Sequence, residues 1–227
     1  MKKIALLTVL PLLLFGFSAC KKVEGDNKNL DDDNLSIEEF MSVNPGSHWE
    51  YKSNEGEHFI RVPKGTKQVV NDREWDYYES TEQSTMWVTP EYFAKNGDKL
   101  LMLLDLDGSQ ENYLEVIAYK ENPVVGETFT NTHELKFGIM NIHALIESSI
   151  YQTNATFEYQ GDMLEDVTII KNKLKAKTGV TPYIDCGDAF LYFKEGIGIL
   201  KMDIDLSIMS FYEREYEDEL IDYHIAE

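Results

Sequence analysis

The stretch Lys201-Met202-Asp203-Ile204-Asp205-Leu206-Ser207-Ile208 carries an apolar side chain at every second position. Met202, Ile204, Leu206 and Ile208 share one parity; Lys201, Asp203, Asp205 and Ser207 share the other. A period of two belongs to an extended strand with one buried and one wet face. A helix would need apolar residues three and four apart. The spacing therefore predicts a strand over 201–208.

Working back along the chain, Gly196 and Gly198 bracket Ile197 between this run and the apolar stretch Ala189 to Phe193. Glycine permits positive φ and close backbone approach, so the segment reads as a turn or bulge between two strands. A phosphate-cradling loop would need Gly-Lys-Ser/Thr followed by a helix, and neither is present. Further upstream the same style repeats. His48 to Lys52 and His58 to Val62 flank Asn54-Glu55-Gly56. Gln68 to Val70 and Trp75 to Tyr78 flank Asn71-Asp72. Asn96-Gly97 leads into Lys99 to Leu104, and Asp107-Gly108 into Tyr113 to Ala118. Asn-Gly and Asp-Gly between apolar runs are strong hairpin signals.

Ala155 to Tyr159 and Val167 to Lys171 read as strands. Asn141 to Tyr151 fits a helix through Ile142, Leu145 and Ile146, or a strand through Ala144, Ile146, Ser148 and Ile150; the strand is preferred. Glu213 to Asp222 reads as an acidic, solvated tail with Tyr216, Leu220 and Tyr223 packing back. Ser36-Ile37-Glu38-Glu39 has capping-box spacing and predicts a short helix through Met41. The expected fold class is mainly β: an antiparallel, strongly curved sheet, a half-barrel-like meander, with one or two short helices.

The N-terminus has a different logic. Lys2 and Lys3 precede an apolar run from Ile4 to Gly16, then Phe17-Ser18-Ala19-Cys20. Charge, apolar core and small residues in that order make a secretory signal. The run is short for a bilayer span and Pro11 interrupts it. Its end resembles a lipobox, with Phe17 where Leu is usual. The resemblance implies cleavage after residue 19 and a diacylglycerol-bearing Cys20, the one residue to which a chemical role is assigned. Lys21 stands where Asp would mark inner-membrane retention, which implies an outer-membrane lipoprotein, on either face. The expected organisation is a signal peptide over 1–19, lipidated Cys20 with a polar tether and short helix over 20–43, and one β-rich domain over 44–227.

Composition narrows the activities. The chain has 41 acidic and 21 basic residues, a net charge of −20. Such a surface repels nucleic-acid phosphates, so no nucleic-acid partner is expected. With Cys20 lipidated, Cys186 stands alone and no intramolecular disulfide can form. Acidic neighbours Asp185 and Asp188 raise rather than activate its thiol.

No catalytic constellation and no cofactor motif is present. Asp105-Leu106-Asp107-Gly108 with Glu111 misses the calcium-loop template, since glycine comes fourth rather than sixth. His48, His58, His133, His143 and His224 lack zinc-ligand spacing, so no metal is expected. Carboxylates are too abundant to single out a hydrolytic pair. Trp75, Tyr78 and Trp87 are candidates for lining a sugar or hydrophobic-ligand site; sheet core is their simpler role.

Three segments carry a resemblance: Gly46-Ser47-His48-Trp49-Glu50-Tyr51, Val124-Val125-Gly126-Glu127-Thr128-Phe129, and Tyr192-Phe193-Lys194-Glu195-Gly196-Ile197-Gly198-Ile199-Leu200-Lys201. Together, in order over residues 44–210, they resemble Bacteroidota-type secreted lipoproteins of unknown function. That resemblance implies a curved antiparallel sheet, similar to the half-barrel of periplasmic lipoprotein carriers, and brings no catalytic residues. The expected role is a membrane-anchored, non-enzymatic binding or interaction module for a hydrophobic ligand or lipid. The alternatives are an envelope assembly component with a protein partner and, behind it, a hydrolase.

Overall fold

The computed structural model describes residues 37–86, 88–106, 112–208 and 212–226. The signal peptide, Cys20, the tether, Trp87 and the Asp107-Gly108 turn lie outside the described residues. The strands are β1 (His48–Ser53), β2 (His58–Val70), β3 (Arg73–Glu82), β4 (Val88–Asn96), β5 (Lys99–Asp105) and β6 (Tyr113–Lys120). They continue as β7 (Thr128–Phe137), β8 (Met140–Tyr159), β9 (Asp162–Lys177), β10 (Ile184–Lys194), β11 (Gly198–Ile208) and β12 (Tyr212–His224). All twelve form one sheet in the order β6-β5-β4-β3-β2-β1-β12-β11-β10-β9-β8-β7. Every neighbouring pair is antiparallel. Each is a sequential hairpin except β1 with β12, which joins the two ends of the domain in the middle of the sheet.

The period-two reading of 201–208 holds: Met202, Ile204, Leu206 and Ile208 are buried, and Asp205 and Ser207 exposed. Asn141 to Tyr151 is strand, the first half of β8. Two expectations are corrected. Residues 37–41 make a single turn, with Phe40 and Met41 N–H both donating to Ile37 O at 2.8 and 2.9 Å, and no helix occurs among the described residues. Ile37, Phe40 and Met41, at the i, i+3, i+4 spacing of one helical face, are all buried, but Pro45 follows closely and a single turn is too short to hold as a helix. The acidic tail is β12, a central strand. Leu220 and Asp218 point inward, while Glu217 points outward and pairs with Lys201 of β11 at 2.9 Å.

The sheet rolls because its ladders are broken by bulges, among them Glu50/Tyr51, Leu100/Leu101, Asp185/Asp188 and Tyr192/Phe193. At one of them Gly187 (φ +104°) lies so close to β11 that a Cβ would sit 2.0 Å from Asp205 O. The edge strands β6 and β7 never pair as a ladder. Instead β6 crosses the inner face of the opposite half, meeting one strand after another. Asn112, just before β6, exchanges two hydrogen bonds with the backbone of Lys136 on β7 (2.7 and 3.0 Å). Glu115 N–H donates to His133 Nε2 of β7 at 3.3 Å. The amide of Asn172 on β9 accepts from Ile117 N–H and donates to Ile117 O (3.3 and 3.1 Å). Tyr119 stacks on Phe193 of β10 at 4.6 Å. A side-chain amide offers the donor and acceptor of a peptide group, so Asn112 and Asn172 replace the missing neighbour strand. The result is a nearly closed, barrel-shaped sheet.

Its interior is filled. Trp49, Tyr51, Tyr78, Phe93, Phe193 and Leu100 are fully buried in one apolar cluster with the 37–43 segment. That segment closes one end: Tyr78 OH donates to Ser42 O (2.7 Å) and Gly196 N–H to Phe40 O (3.2 Å), while Ser47, whose hydroxyl is bonded to that of Ser42 at 3.0 Å, accepts from Ala226 N–H (2.9 Å). A second cluster, with Trp75, Tyr92, Leu101, Leu103 and Ile117 against Ile150 and Ile170, packs the other side of β4–β6.

Candidate functional site

Antiparallel connectivity puts the β1–β2, β3–β4 and β5–β6 turns at the end opposite residues 37–43. There the apolar parity is broken. Arg61 of β2 lies directly opposite Ser80 of β3, and Ser80 opposite Thr89 of β4, all on the parity of core residue Tyr78. Asp218 of β12 lies between Ser53 of β1 and Met202 of β11. Ser53, Ser80, Thr89 and Asp218 bound a cleft of about 450 Å³. Phe59, Met102, Leu104, Met202 and Tyr216 supply its apolar wall; Glu55, Glu57, Glu82 and Glu215 stand around it.

Arg61 lies beneath the cleft with no exposed surface. Its guanidinium clasps Glu91 through two nitrogens, donates through Nη1 to Tyr51 OH at 2.7 Å, and lies 4.7 Å from the Tyr51 ring centroid. Tyr51 OH in turn donates to Ile199 O at 2.7 Å. Burial pushes the Tyr51 phenol well above its usual range, against the pull of Arg61. The Arg61 guanidinium stays firmly charged: burial opposes its charge, and Glu91, followed by the Tyr51 contact, overcomes that. A buried charge needs such pairing, and the arrangement leaves the guanidinium committed within the protein.

The residues singled out from the sequence fall elsewhere. Trp75 and Tyr78 are both buried, but three positions apart on β3, so they point to opposite faces. Trp75 donates its indole N–H to Val70 O at 3.1 Å within the second cluster; Tyr78 belongs to the first. Trp87 and Cys20 lie outside the described residues. Cys186 is buried, its thiol pushed up chiefly by burial. Among the described residues no group of three His, Cys, Asp or Glu side chains could hold a metal ion.

The residues around the cleft, Arg61, Ser80, Glu91 and Asp218, went unnoticed in the sequence. The available signal was parity: Ser80 and Glu82 follow Tyr78 on the core-facing side of β3, where apolar side chains are expected. The resemblance segments do meet. Trp49 Nε1 donates to Ile197 O at 2.6 Å and Tyr51 OH to Ile199 O, so the first is bonded to the last across 148 residues.

No protein-family model matches the chain, and no curated protein does. Solved structures similar to it include two from bacteria. One is a candidate lipoprotein from Parabacteroides distasonis, 11% identical, covering 82% of this chain and 98% of that one at a TM-score of 0.48. The other is the hypothetical lipoprotein YmcC from Escherichia coli, 11% identical, covering 79% and 85% at a TM-score of 0.41.

Proposed function

We propose that the chain is a membrane-tethered, non-enzymatic binding module of the cell envelope, with its ligand site in the cleft between β1–β5 and β11–β12. The observation that carries this reading is the row of inward-facing polar residues opening onto an apolar wall in an otherwise filled sheet. A cavity of about 450 Å³ is of a size that suits a small molecule. The filled interior speaks for such a ligand over an acyl chain, which would need an open apolar face. Support for a binding role over catalysis comes from the chemistry of the side chains. Glu91 is tied to Arg61, and the Cys186 thiol is buried with a raised pKa. Tethering through Cys20 and an outer-membrane location rest on the N-terminal sequence.

The test is thermal unfolding of the full chain against small molecules of differing charge and polarity. At least one class raises the midpoint by several degrees, as ligand linkage requires, and Ser80→Phe removes the shift. If no class stabilises the protein, the reading is wrong.

A second reading, an assembly component, is favoured by Ile139 and Val180. Both are fully exposed at turns lying at the same end of the sheet, β7–β8 and β9–β10. Crosslinking from these two positions in cells would capture one stoichiometric envelope protein if it holds.

A further inference from the structure

The cleft also carries information about the chemistry of its ligand, an argument that rests on the binding reading above. Ser80 is only 6% exposed and lines the cavity, yet among the described residues its hydroxyl has no hydrogen-bond partner. Nearby buried hydroxyls are engaged: Tyr51 with Ile199 O and Arg61, Tyr78 with Ser42 O. The Ser80 oxygen is not sealed from the cavity, so water or a ligand group there supplies the missing bond, and a ligand that displaces the water must offer a polar group in its place.

The charges around that hydroxyl have one sign. Glu55, Glu57, Glu82 and Glu215 line the cleft, and no lysine or arginine does so among the described residues. The buried guanidinium of Arg61 is already bound to Glu91 and Tyr51 and offers an anion nothing. An anionic ligand would face only repulsion. A neutral apolar one would desolvate the carboxylates without replacing their hydrogen bonds. A cation is attracted by the rim and can donate both to the carboxylates and to Ser80 Oγ. The opposite wall, Phe59, Met102, Leu104 and Met202, matches a short apolar stem.

We propose that the cleft binds a small organic cation, an ammonium group on a short apolar stem, with the head at Ser80 and the rim glutamates and the stem against Met102 and Met202. A free amine and a lysine side chain on a peptide present this same chemistry.

The test is isothermal titration of the full chain, carrying Cys20→Ser so that no lipid is attached, with n-hexylammonium, 1-hexanol and hexanoate. N-acetyl-lysine methylamide is added to represent the peptide source. Hexylammonium binds about tenfold more tightly than hexanol and weakens severalfold as salt rises toward ~0.5 M. The exposed-side pair Glu57→Gln with Glu215→Gln removes most of that preference without touching the core, so it reports even if Ser80→Phe fails to fold. Acetyl-lysine methylamide binding as well as hexylammonium assigns a peptide source; weaker binding assigns a free amine. Hexanol or hexanoate matching hexylammonium overturns the cation but leaves the cleft as a binding site. No binding by any probe overturns both.

Discussion

The indole nitrogen of Trp49 donates to the carbonyl oxygen of Ile197 across 2.6 Å, joining segments 148 residues apart. Trp49 is on β1 and Ile197 in the β10–β11 turn, so the bond reaches past β12, which lies between β1 and β11, and ties the first strand to a late hairpin. Both groups are buried. Trp49→Phe keeps most of the packing but leaves the carbonyl unsatisfied, and is expected to cost about 1–3 kcal/mol in urea unfolding. Trp49→Ala adds a cavity and should cost about 3–5 kcal/mol.

Arg61 and Glu91 form a pair that is costly to break from one side. Arg61→Ala leaves Glu91 and Tyr51 without their donor and is expected to destabilise by about 3–5 kcal/mol. Replacing both, Arg61→Met with Glu91→Leu, should cost much less than the sum of the single changes. A double-mutant cycle measures the difference directly.

The β6 seam depends on side chains where other strands use ladders. Asn172→Ala removes both bonds to Ile117, together with the acceptor of Ser148 Oγ (2.6 Å). The β6 amides should then exchange with solvent markedly faster than those of β11, which keeps two strand neighbours. Equal protection of β6 in the variant would show that packing alone holds the seam.

His133 makes that seam sensitive to pH. Its Nε2 accepts from Glu115 N–H, which only an unprotonated nitrogen can do, and burial lowers its pKa. Around it lie Asn131, and Glu115 paired with Arg73 at 2.8 Å. The unfolded chain binds this proton near an ordinary value of roughly 6.5, and the folded chain only at lower pH. The associated stability is therefore complete above that value and is lost as pH falls through the window below it. His133→Gln, which keeps an acceptor and cannot titrate, should flatten stability against pH in that window.

Much of this fold could be read from side-chain period. Met202 to Ile208 alternates cleanly because β11 packs one face on the core and shows the other to water. β12 was missed because its outward residues are glutamates, which read as a solvated tail until Lys201 is placed beside Glu217. The turn at 37–41 carried a helix-capping pattern and buries Ile37, Phe40 and Met41 at helical spacing, but Pro45 leaves too little chain to carry a helix beyond one turn. The cleft was hidden for a related reason. Ser80, Glu91 and Asp218 look like ordinary surface residues until β1, β3, β4, β11 and β12 are arranged around them, and that order depends on the β1–β12 pairing across the whole chain.

On this reading the cleft, and not the rest of the interior, receives a ligand. Methionine-methyl NMR during titration with n-hexylammonium tests it most directly. Met102 and Met202 line the cleft, while Met41 is fully buried at the opposite end. Saturable shifts of the Met102 and Met202 methyls are expected, with Met41 unmoved. Silence at Met102 and Met202, or movement of all three together, would contradict it.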